Sequence, residues 1–317
     1  MNSARTITQL ISDFTDQKDI NDKSRKAIEN ALHQFFKYLV IVGRPASTPN
    51  ERDIIRFKEF LISKKSIYTA NSYLSGVKGF YKWTEANDIY KNITAGIRPV
   101  KIPKQYSKLP LKPEEVSQLI RSIDGSTFAG TRDKVIIQLM FENGLRAIEV
   151  SRLRISDFQT DRSGRPLLYI LGKGQQVKEA VTISDSIDQA LKELIETRRL
   201  TIGKDETLNP SEPLFRSHWI RDGEAKALSA PEIGNIVNNR LKSAGLKHPK
   251  ISAHSLRHGA AIAALKATND IFKVQLFLRH TSPNITKLYL THSEDEYLKS
   301  SKIESVLSNL LEVHNLS

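Results

Sequence analysis

LLYILGKGQQVKEAVTI, residues 167–183, breaks the helical periodicity that runs through the rest of this 317-residue chain. Residues 167–171 and 177–183 read as two strands rich in apolar and β-branched side chains. GKGQQ between them reads as a turn, so the stretch predicts a β-hairpin. Immediately upstream, VIIQLMFENGLR (135–146) predicts an apolar helix ending near Gly144, followed by a second helix carrying Ile148, Val150 and Leu153. Earlier still, Pro113, Glu114 and Glu115 open a helix through Val116, Leu119 and Ile120, because proline and acids suit a first turn. After the hairpin, helices are expected over 184–200, 230–244, 255–266, 270–278, 285–289 and 293–311. The fold class is therefore mainly α with a small antiparallel β-sheet.

Four more helices are expected nearer the N-terminus. Ile7, Leu10, Ile11 and Phe14 make a short apolar face, and Ile28, Leu32, Phe35, Phe36 and Leu39 form a stripe within 24–42. Pro49 and Asn50 open a third helix with Ile54, Ile55, Phe57, Phe60 and Leu61. The fourth covers 66–87, with Tyr73, Leu74, Val77, Phe80, Tyr81 and Trp83 reading as core. Its other face carries Lys78 and Lys82 beside Asn71 and Ser75. KIPKQYSKLPLK (101–112) then holds four lysines and no acid, and Pro103 and Pro110 oppose helix. The expected organisation is a helical domain over 1–100, a basic connector over 101–112 and a second domain over 113–317.

Composition limits the function. The formal net charge of +13 makes a polyanion the expected partner, nucleic acid first. Residues 1–100 and the connector carry +6 and +4 of that charge. Lys101, Lys104 and Lys108, with Lys78 and Lys82, are the candidate DNA-backbone contacts. The chain has no cysteine, which excludes thiol nucleophiles, disulfides and cysteine-ligated metals. No apolar run approaches the ~18–20 residues of a bilayer helix, and MNSARTITQLISDF lacks a signal profile, so no membrane partner is expected. The expected location is cytoplasmic, with the nucleoid.

The chemistry-bearing residues are scattered but ordered. Arg146 follows the Gly144 break, where a planar guanidinium at a tight turn can take two oxygens of a phosphate. HSLRH places His254 and Arg257 at i, i+3 on one helical face. His254 and His258 have the spacing of a helical metal pair, but no HExxH glutamate lies between them, and no metal or other cofactor is expected. Lys173 sits between two glycines that let a hairpin tip approach a ligand. His280 and Tyr289, nine apart, close the series in LFLRHTSPNITKLYL.

Taken in order, these boxes resemble the tyrosine recombinase/integrase family over essentially the whole chain. The resemblance implies a helical core-binding domain ahead of an α+β catalytic domain. It also implies DNA strand exchange through a 3′-phosphotyrosyl intermediate and a Holliday junction. It makes Arg146, Lys173, His254, Arg257 and His280 the activating residues, Tyr289 the nucleophile and Glu149 a supporting acid. Arg279 departs from the pattern, since many relatives carry glycine before the second histidine. A phosphate contact and a plain surface position are both open for it. A type IB topoisomerase-like enzyme and a non-catalytic DNA-binding protein are the competing readings. The first needs no paired sites, and the second leaves the ordered Arg, Lys, His-Arg, His, Tyr set unexplained.

The last 28 residues, 290–317, carry a net charge of −3 and an apolar stripe of Tyr297, Ile303, Val306 and Leu310. Acid opposes DNA contact. The resemblance implies that this helix links protomers in a homotetramer on two DNA sites, with accessory proteins undetermined.

Overall fold

The computed structural model describes residues 6–102, 108–172, 174–201, 208–217 and 226–280. Lys104, Lys173, Tyr289 and the helices expected over 285–289 and 293–311 lie outside these residues. The chain forms two compact units, Met1–Lys104 and Gln105–Ser317.

Among the described residues, four helices make the first unit: α1 (Ile7–Asp16), α2 (Asp22–Ile41), α3 (Glu51–Lys64) and α4 (Ile67–Ala86). Each begins where a short polar side chain takes a free amide of the first turn: Thr6, Asn21, Asn50 and Ser66. The aromatic stripes meet in the interior. Phe35 lies edge-on to Phe57 and Tyr81, and Phe14 edge-on to Phe80, all fully or nearly fully buried. Phe80 and Tyr81 of α4 are thus core, as their spacing predicts, with Tyr73 and Trp83 packed against it partly buried. The opposite face of α4 holds the unit's final segment. Asn71 exchanges two hydrogen bonds with the Val100 backbone, and Lys78 Nζ donates to the Ile97 carbonyl at 2.7 Å. Lys82 and Lys101 are exposed.

The second unit packs helices around a small sheet. Its helices are α5 (Pro113–Arg121), α6 (Phe128–Glu142), the short α7 (Ala147–Ser151), α8 (Asp185–Thr201), α9 (Ala230–Ser243), α10 (Ala253–Thr268) and α11 (Ile271–Phe277). The hairpin is present as β2 (Pro166–Ile170) and β3 (Glu179–Thr182), antiparallel, with Leu168 opposite Val181. A further strand, β1 (Phe158–Thr160), pairs with the outer edge of β2, giving the order β1-β2-β3. Leu168 and Ile170 point from β2 into one core with Ile136, Leu139, Leu191, Val237 and Leu256. Polar ties brace this core. Asp133 takes Arg132 on one oxygen and Arg240 of α9 on the other.

The chain enters this unit pressed against α10. Leu109 N–H donates to the Lys250 carbonyl at 3.0 Å, and Leu111 N–H to that of Ser255 at 3.1 Å. Leu111 is fully buried. Gly259 makes the approach possible: a Cβ there would stand 1.9 Å from the Leu111 carbonyl oxygen. Because the obstacle is backbone, it cannot rotate away. Gly259→Ala is therefore expected to destabilise by the full ~1–3 kcal/mol of an overpacked core or more. A thermal melt of the purified variant checks this, and an unchanged midpoint would contradict it.

Candidate active site

Arg146 is the N-cap of α7, left in extended backbone by the turn at Gly144, whose φ is +60°. Glu149, one turn on, reaches back to it. One carboxylate oxygen accepts from the Arg146 backbone N–H at 2.9 Å and the other from its guanidinium at 2.7 Å. Glu149 is fully buried, whereas a quarter of the Arg146 side chain, 24%, reaches solvent. Glu149 thus holds the arginine's backbone and one guanidinium nitrogen while part of the side chain stays open to solvent.

The HSLRH helix brings up the second arginine. Arg257 is fully buried in α10, donating to the Gly144 and Leu278 carbonyls and lying 3.7 Å from Glu149. His254, one turn earlier, opens to the surface, and His258 faces the interior. His254 reaches solvent yet is crowded by protein atoms. Burial first, then the charges of Arg257, His258, Arg146 and Lys108, lower its pKa to about 4. It is therefore neutral at pH 7 and able to accept a proton.

His280 closes the cluster from the end of α11. Only 6% exposed, it has its pKa held down to about 3, mainly by burial and then by Arg257, Arg146, Arg279 and His254. A neutral imidazole among guanidiniums can still donate a hydrogen bond to an anion. Arg146, His254, Arg257 and His280 are thus brought together, with Glu149 as the buried counter-charge. Among the described residues no group of three His, Asp or Glu side chains could hold a metal ion. Lys173 and Tyr289 belong to the same expected set but lie outside the described residues.

The sequence reading missed the neighbours that brace these residues. Arg152 NH1 donates to the carbonyl of Gly172, the residue before Lys173, at 3.3 Å. The same carbonyl accepts from the Gln175 N–H, and Gly174 has a φ of +78°, left-handed backbone that favours glycine. Asn143 Nδ2 donates to the Thr182 carbonyl at 2.7 Å, joining β3 to the turn before Arg146. These are side-chain-to-backbone contacts across 20 and 39 positions, and no local spacing announces them. Of the lysines read as DNA contacts, Lys108 is near enough to act on His254.

The lowered pKa of His280 makes stability depend on pH. Unfolded, the ring binds its proton near 6.5; folded, only near 3. Between these values the unfolded chain holds the extra proton, so stability falls as pH drops below about 6.5. Melting temperatures at pH 7 and pH 5 should show a smaller loss in His280→Gln than in the wild type. Equal losses would remove the buried neutral imidazole from the account.

Residues 110–296, more than half of the chain, match the sequence profile described as the phage integrase family. Tyrosine recombinase XerD of Listeria innocua is 25% identical over 90% of this chain and 94% of its own length. Tyrosine recombinase XerC of Caldanaerobacter subterraneus is 28% identical over 92% and 74%. In fold, the chain is similar to the XerH site-specific recombinase in its post-cleavage complex with difH substrate. The TM-score is 0.72, with 22% identity over 96% of this chain and 86% of that one. It is also similar to a lambda integrase bound as a tetramer to a Holliday junction, with a TM-score of 0.67 and 16% identity over 91% and 78%. With the recombinase fold, the family profile and the ordered arginine–histidine cluster all in one chain, it belongs to the phage integrase family as a site-specific tyrosine recombinase of the Xer/integrase type.

Proposed function

We propose that this recombinase joins two paired DNA sites through a covalent link to Tyr289, with Arg146, Lys173, His254, Arg257 and His280 as the activating set. The observation that carries the reading is the convergence of Arg146, His254, Arg257 and His280 about the buried Glu149. Phosphodiester cleavage builds negative charge on the nonbridging oxygens, and fixed cations stabilise it without reorganising. Arg146 and Arg257 supply that charge, and His280 adds a hydrogen bond. The Tyr289 oxygen forms a bond to phosphorus as the bond to the 5′-oxygen breaks, giving a 3′-phosphotyrosyl enzyme. His254, neutral at pH 7, takes the phenol proton, and Lys173 gives one to the leaving 5′-oxygen. The 5′-hydroxyl of another strand then reverses the step, which needs no cofactor, and one exchange yields a Holliday junction.

The nine-residue interval from His280 supports Tyr289 as the nucleophile. Tyr289→Phe should keep DNA affinity and form no covalent adduct on a nicked duplex. An adduct that survives would give the role to another residue. Lys173→Ala should slow cleavage by roughly 10²–10⁴-fold on ordinary DNA. It should recover on DNA with a bridging 5′-sulfur, whose leaving group needs no proton. Equal impairment on both substrates would take Lys173 out of the acid role.

In the same reading, residues 1–100 form the core-binding domain, 101–112 a basic connector along the phosphates, and 113–317 the catalytic domain. Residues 290–317, with their apolar stripe, link four protomers. The match to XerD over 90% of this chain and 94% of that one supports this layout, whether the task is integration, excision or resolution of a replicon. The protein works in the cytoplasm, on nucleoid DNA. Lys78, Lys82, Lys101, Lys104 and Lys108 are the backbone contacts. Each such contact adds about −0.9 to the slope of log K against log salt. Replacing Lys101, Lys104 and Lys108 by Gln should flatten the slope by up to about 2.7. An unchanged slope would free the connector of this role.

A further inference from the structure

The helix end that presents His280 is built around an arginine in a glycine position. α11 stops in a paired-amide cap: Arg279 N–H donates to the Leu276 carbonyl at 2.9 Å, and His280 N–H to the Gln275 carbonyl at 3.1 Å. Such a cap requires left-handed backbone at the residue between, usually glycine, and Arg279 adopts it with φ +53°. An L side chain is strained there, so its contacts must hold it.

Those contacts are not on the surface. The Arg279 side chain is 5% exposed, which excludes the plain surface position. NH1 donates to the Phe277 carbonyl at 3.0 Å, satisfying one of the last carbonyls of α11. NH2 donates to the Asn143 carbonyl at 3.0 Å and the Gly144 carbonyl at 3.4 Å, and stands 3.7 Å from Glu149. Its fork therefore spans the turn before Arg146 and the turn before His280. Arg257 spans the same two turns from α10, through the carbonyls of Gly144 and Leu278.

We infer that Arg279 is a positioning residue that locks the Arg146 turn to the His280 turn, and that it makes no phosphate contact. The inference rests on the recombinase reading for its consequence in cleavage, but its structural half stands on these contacts alone. A guanidinium suits the task because it directs donors to several oxygens in one plane, whereas an ammonium offers one compact centre. It also adds a third guanidinium around a single carboxylate. The cluster then keeps an excess of positive charge for an anion even with Glu149 ionised.

The test uses the full chain and two substitutions. Arg279→Gly suits the left-handed backbone and so should fold with a melting temperature near the wild type's. Hydrogen exchange without DNA reports the structural half. In Arg279→Gly, amides of both 144–149 and 276–280 should exchange faster, although these segments are more than a hundred positions apart. Faster exchange at 276–280 alone would reduce Arg279 to a local cap and overturn the inference.

Cleavage reports the other half, with nicked duplexes selected for covalent capture by the wild type from a pool of randomised sequence. At saturating DNA, Arg279→Gly should form adduct about 10–100-fold more slowly, with affinity and salt slope unchanged. Arg279→Lys should remain slow, and millimolar guanidinium should speed Arg279→Gly. Weaker binding with a slope flattened by about one contact would make Arg279 a phosphate ligand and overturn the inference. So would a wild-type rate. If the wild type captures no duplex at all, the recombinase reading fails, while the exchange experiment still decides whether the two turns are locked.

Discussion

The arginine–histidine cluster of the second unit is organised around one buried negative charge. A carboxylate in the interior is costly unless paired and hydrogen-bonded, and Glu149 is both. Its partners come from three places in the chain: Arg146 beside it, Arg257 from α10 and Arg279 from the end of α11. Remove the carboxylate and three guanidiniums would repel one another across a site with little water. Keep it and they are drawn to one point, yet not neutralised. A cluster built this way is already shaped for an anion before any DNA arrives, which is the condition for electrostatic stabilisation without reorganisation.

The carbonyl oxygens of the turns do as much as the charges. Gly144 accepts from Arg257 and Arg279, Gly172 from Arg152 and Gln175, and Leu278 from Arg257. These bonds address backbone, so they fix where a turn lies rather than which side chain it carries. Precision at the cluster thus depends on glycine-containing turns being pinned by arginines, and not on the regular elements alone.

Much of this was legible in the sequence, for identifiable reasons. The hairpin announced itself by a change of period, and the helix starts by caps such as Asn50 and Ser66. Arg146, His254, Arg257 and His280 could be found because a glycine break, an i, i+3 pair and an interval to a tyrosine are local features. β1 was missed because Phe158, Gln159 and Thr160 are too few to alternate, and the segment is a strand only through its pairing with β2. Arg279 was visible as an oddity but could not be interpreted. Its partners at Asn143 and Gly144 lie 136 and 135 positions away, and only the fold brings them within reach.

The passage of Leu109–Leu111 over Gly259 has a mechanical meaning. The chain arriving from the first unit does not join the second at a loose end. It is hydrogen-bonded to Lys250 and Ser255, on either side of the start of the helix that carries His254 and Arg257. A pull on Leu109–Leu111 is therefore delivered as a load on that helix start. The segment is a tendon inserted beside His254 and Arg257, with the bare Gly259 as its groove.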